Sequence, residues 1–147
     1  MRELANRLQH MGCINRDIRL AISLASPYCD RLLSLRADFS FECGQLLNQL
    51  TGKLYTHEHA RAASRLLDAY VAMHRLMNAH QQRWSSAEIG RDPDGYIASS
   101  QGMNAAIINF LEVAMGIVDD AAAPLRFESS SASAFAPAPT VRLTGTR

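Results

Sequence analysis

The chain has almost no lysine: Lys53 stands alone beside fourteen arginines. This usage, with abundant alanine, points to GC-rich coding and to a bacterium or its phages. No run of eighteen apolar residues occurs, which excludes a hydropathy-defined membrane helix. The N-terminus carries Glu3 and no apolar core segment, so a secretory signal is not expected. Cysteine is scarce and odd in number. Cys13, Cys29 and Cys43 form no CxxC pair, which excludes zinc fingers and thioredoxin-type motifs. Buried free thiols suit a reducing compartment, so the expected location is cytoplasmic or inside an assembled particle. No GxSxG, no Walker loop and no glycine-rich phosphate turn is present. A non-catalytic protein without a cofactor is the expectation.

What is present is helical periodicity. Residues 56–84 contain neither glycine nor proline. At 100° per residue, His59, Ala63, Leu66, Leu67, Tyr70, Met73, His74, Met77 and Trp84 share one face, with Arg61, Arg65, Asp68, Ala72, Arg75, Ala79 and Arg83 opposite. The pattern predicts one long amphipathic helix starting at Thr56 as N-cap. Upstream, a short helix over 2–11 is expected to break at Gly12, with Asn15 as the next N-cap. From Ile18 to Leu50 apolar residues recur at spacings of four and three, and Arg36 is the one charged residue in this seam. The register runs through Pro27, which fits either a kinked helix or a tight break with a new helix starting there. Arg36 is expected to reach solvent or to pair with an acid from another helix. A last helix is predicted over 97–122. Met103, Ala106, Ile107, Phe110, Val113, Ala114 and Ile117 mark its core face, and Gly116 a close helix approach. Ile108 and Met115 lie nearly opposite that face. An all-α bundle of four main helices follows, or five if Pro27 breaks the second, occupying residues 1–123. Residues 124–147, rich in Ser, Ala and Pro, read as an extended tail, flexible or ordered by a partner.

Candidate sites are few. His57, His59, His74 and His80 share the 56–84 helix but lack the i, i+3 or i+4 spacing of a metal pair, and His74 is expected to be a buried, hydrogen-bonded core histidine. The segment 90–101 resembles a calcium loop in Asp92, Asp94 and Gly95. Gly90 and Gln101, however, stand where the first and last carboxylates belong, so an ordinary turn is expected. Metal binding is therefore not expected.

Arg61, Arg65, Arg75 and Arg83 line one helix face, and a nucleic-acid contact is one reading of it; Glu58 and Asp68 interrupt the line. The net charge is only +1. It is distributed unevenly: residues 1–83 are basic, whereas residues 84–125 hold six acids against Arg91. Acids there are the expected partners of the arginine face. The two-sided 97–122 helix belongs either at the bundle centre or at a subunit contact through Ile108 and Met115. In the tail, Val141 and Leu143 alternate with polar residues as a partner-bound strand does. The leading expectation is an assembly or adaptor protein, such as a chaperone, regulator or particle subunit. It would form homo-oligomers and engage a further protein. A nucleic-acid-binding accessory role is the alternative.

Overall fold

A computed structural model describes residues 1–24, 30–52 and 55–123. Its elements are five helices: α1 (Arg2–Leu24), α2 (Asp30–Gly52), α3 (His57–Arg83), α4 (Ser86–Arg91) and α5 (Pro93–Ala122). The four long ones make an all-α bundle, and no strand occurs among the described residues.

The long helices are divided differently from the sequence expectation. Gly12 does not end a helix, because α1 runs through it. A Cβ placed there would meet only Leu111 Cδ1, at 3.9 Å, so the local environment neither needs nor rejects a side chain. Glycine's helix cost of about 1 kcal/mol is outweighed by the buried stripe Leu4, Leu8, Met11, Ile14, Ile18 and Ile22 on both sides of it. The break falls instead between α1 and α2. Arg7, near the start of α1, meets Glu42 at 2.6 Å and Gln49 at 3.0 Å, near the end of α2. The two helices therefore run antiparallel, and the Ile18–Leu50 register is the sum of two stripes that face one core. A single kinked helix is thereby excluded; Pro27 itself lies outside the described residues.

On the expected face of the third helix Ala63, Leu66, Tyr70, Met73 and Met77 are buried, whereas His59, Leu67, His74 and Trp84 are half-buried at its margins. Thr56 holds the N-cap position, but its side chain makes no capping bond; its carbonyl accepts from His59 and Ala60 instead. The short α4 has no counterpart in the sequence expectation. It starts at Ser85, whose hydroxyl accepts from the Glu88 amide at 3.3 Å. The last helix starts four residues before Ile97. Asp92 and Pro93 act as N-cap and first helical residue rather than as a turn, and Asp92 Oδ1 accepts from the Gly95 amide at 2.9 Å.

Around the core the order is α1, α2, α3, α5. Helix α5 packs against both α1 and α3 and is touched by α4; of the neighbouring long helices, α2 and α3 meet least. This arrangement accounts for the apolar residues on two sides of α5 within one chain. Two expectations for α5 fail. Val113 is 45% exposed, at the edge of the stripe. A Cβ added at Gly116 would meet nothing within 4 Å, so no close helix approach depends on this glycine.

Candidate functional site

Each long helix carries a polar side chain at a core register position, and the four meet at one level. On α1, Asn15 follows Leu8 and Met11 and precedes Ile18 and Ile22, at spacings of three and four. On α2 it is Arg36, close to Phe39. On α3 it is His80, three residues after Met77. On α5 it is Ser100 with Asn104, in phase with Ile107 and Leu111. Asn15, Ser100 and Asn104 are only 3–5% exposed.

These groups line a cavity of about 60 Å³ enclosed by all four long helices. Away from its mouth the remaining walls are apolar, with Ile18, Ile22, Phe39, Met77 and Ile107 prominent. Ser40 of α2 and Gln81 of α3 are exposed lining residues, so the mouth opens along the loosely packed α2–α3 seam. Among the described residues no carboxylate lines it.

Arg36 is half-buried here. One Nη donates to the Ser100 hydroxyl at 3.2 Å, and the guanidinium carbon lies 4.8 Å from the centre of the Tyr96 ring. The expected acid partner is replaced by a hydroxyl and a ring. Burial lowers the guanidinium's pKa from its ordinary value. It stays charged, because arginine titrates far above neutrality.

His80 stacks on Tyr96 with ring centres 5.9 Å apart, and its Nδ1 is 3.0 Å from the Ser99 hydroxyl. Burial, and then the nearby Arg36 charge, lower its pKa, which favours the neutral imidazole. Trp84 meets Tyr96 edge-on at 5.6 Å and completes the cluster. Three buried atoms around the cavity lack hydrogen-bond partners: Asn15 Oδ1, Asn104 Oδ1 and His80 Nε2. An unmet buried polar atom costs about 1–3 kcal/mol, so three at one cavity call for an explanation.

No family model, curated protein or solved structure matches this chain. The geometry therefore carries the functional argument alone.

Apart from Asn15, Arg36 and His80, the candidate residues named from the sequence lie elsewhere. Arg61, Arg65, Arg75 and Arg83 are all exposed on α3. Only Arg83 has an acid partner, Glu88 of α4 at 3.9 Å, and its guanidinium also covers Trp84 at 4.9 Å. Among the described residues, the acids of α5 do not pair with Arg61, Arg65 or Arg75 as expected. Ile108 is half-buried in a groove against Arg16 and Arg19 of α1. Met115 is half-buried and packs on the core. Val141 and Leu143 lie outside the described residues. His74 is half-buried, stacked on Tyr70 at 5.3 Å and 3.4 Å from Asn78 through Nδ1. Among the described residues no three His, Cys, Asp or Glu side chains converge.

Two features conceal the cavity in the sequence. Gly12 imitates a helix break, and Asn15 just after it then imitates an N-cap. Ser100 and Asn104 carry no motif; the signal that marks them is their core phase on the most apolar helix.

Proposed function

We propose that this chain is a non-catalytic helical module that acts by protein–protein contact, and that its first partner is a second copy of itself docked on the α2–α3 seam. Phe41 carries the reading, at 64% exposed. Leu33 on the same helix is 56% exposed and Val71 on α3 is 39% exposed. At 100° per residue, Leu33 falls on the flank of α2 towards α3 and Phe41 on its outer face, opposite the buried stripe, whereas Val71 falls on the side of α3 towards α2. Phe39 of α2 and Met77 of α3 line the same cavity, which brings Phe41 and Val71 within about two turns of one level. Scattered exposed apolar residues are ordinary on a surface. A group along the loosest seam of a bundle marks a contact site, and covering it recovers about 25 cal/mol per Å². A twofold contact lets each copy present the same seam to the other.

Light scattering at tens of micromolar protein tests this. Wild type is expected as a dimer, and Leu33→Glu with Phe41→Glu as a monomer of unchanged helicity. The pair Ile108→Glu and Met115→Glu should lower the melting temperature instead, because both side chains face their own chain. A monomeric wild type rules the proposal out. Dissociation by the second pair but not the first moves the contact to the α1–α5 edge.

Nucleic-acid binding is a second reading, favoured by one observation. Arg61, Arg65 and Arg75 are exposed without ion-pair partners among the described residues, within an arc of roughly 80° on α3. That reading requires an affinity that falls steeply with salt and with Arg61→Ala/Arg65→Ala.

A further inference from the structure

The geometry points to the four-helix cavity as a binding site for a small aliphatic monocarboxylate, its carboxylate held by Arg36 and its alkyl chain by the apolar walls. Its mouth shares the α2–α3 seam with the proposed dimer contact, so the titration below is run on the wild type and on the Leu33→Glu/Phe41→Glu variant, whose seam is uncovered.

The first support is charge. A half-buried arginine that serves structure is ordinarily matched by a carboxylate, because an uncompensated buried charge is costly. Here Arg36 has the Ser100 hydroxyl and the Tyr96 face, while among the described residues no Asp or Glu lines the cavity. A guanidinium offers five N–H donors in a fork that matches a carboxylate, and one bond to Ser100 leaves most of them to be used.

Unmet hydrogen bonding is the second support. Asn15 and Asn104 are at least nine-tenths buried, and the Oδ1 of each is without a partner, as is His80 Nε2. A side-chain amide turned by half a rotation presents its NH₂ in place of its oxygen, so both asparagines can donate to an anion beside Arg36.

Third is size and lining. About 60 Å³ holds roughly four water-sized spheres, which suits a ligand of only a few non-hydrogen atoms. Ile18, Ile22, Phe39, Met77 and Ile107 leave few polar positions away from the Arg36 end. An alkyl chain satisfies that end, whereas a phosphate, a sugar or a dicarboxylate leaves polar atoms against it. Entry is along the α2–α3 seam, past Ser40 and Gln81.

Sodium butyrate is the probe, titrated into the full-length protein by calorimetry and by amide NMR, with sodium chloride at equal ionic strength as reference. The expected result is one saturable site per chain with shifts centred on Arg36, His80, Ser100 and Asn104. Butyramide, which has the same shape without the charge, should bind at least roughly tenfold more weakly. Arg36→Gln should lose a similar factor, whereas Arg36→Lys should retain part of the affinity. Because a change at Arg36 also alters a packed site, a second variant is placed at the mouth: Ser40→Trp adds bulk at an exposed position and should reduce butyrate binding without loss of helicity. Absence of saturation in both the wild type and the Leu33→Glu/Phe41→Glu variant, equal affinity for butyramide, or full binding by Ser40→Trp overturns the proposal.

Discussion

Gly12→Ala separates the observed fold from the reading in which Gly12 ends a short helix. In the structure Gly12 is a helical, half-buried residue in the middle of α1. Replacing glycine by alanine in a helix interior contributes about 0.8–1.0 kcal/mol, because the unfolded chain loses conformational freedom. The new methyl group meets Leu111 Cδ1 at 3.9 Å, an ordinary contact that requires no displacement. Full burial of one such carbon is worth about 0.8 kcal/mol, and partial burial about half of that. The sum is about 1–1.5 kcal/mol of added stability, or a rise of roughly 3–5 °C in Tm for a chain of this size. Urea unfolding followed by far-UV circular dichroism, at fixed protein concentration, should show a higher midpoint with an unchanged slope. Gly116→Ala is the control. It lies within α5 with nothing within 4 Å, so it should gain the propensity term alone. A loss of stability in Gly12→Ala, with a normal gain in Gly116→Ala, would mean that Gly12 adopts a conformation alanine cannot. The continuous α1 would then be refuted.

Two further outcomes follow from the buried titrating groups. Burial, with a smaller push from the Glu42 carboxylate, raises the Cys43 thiol to about 12, whereas Cys13 is exposed. In a Cys29→Ser background a thiol reagent at neutral pH should therefore label Cys13 promptly and Cys43 only on unfolding; prompt double labelling contradicts the packing of α2. The His80 pKa is lowered on folding from its ordinary 6.5, so below that value the unfolded chain binds the extra proton first. His80 should thus favour the folded state fully above about pH 6.5, with that contribution declining as pH falls towards the folded-state value. His80→Gln should flatten this part of the urea-midpoint profile, and an unaltered slope would show that another group is responsible.

Much of the architecture is legible because helical burial writes a stripe into the sequence. Ala63 to Met77 on α3 and Ile107 to Ile117 on α5 follow from spacing alone, and the all-α class with them. Boundaries are less legible, because local signals compete with tertiary burial. Gly12 is a helix breaker in isolation, and the stripe on both sides of it overrides that preference. Asp92-Pro93 reads as a turn from its residue types, whereas in the structure it opens α5 and Tyr96 in the first turn is buried. The candidate cavity depends most on tertiary structure. Asn15, Arg36, His80, Ser100 and Asn104 span most of the described chain, and nothing local places them at one level. Their register positions are set by sequence, as Arg36 in the α2 seam already indicates. Antiparallel packing then decides that these polar breaks in four separate stripes coincide, leaving a charge without a carboxylate and three polar atoms without partners around a shared space.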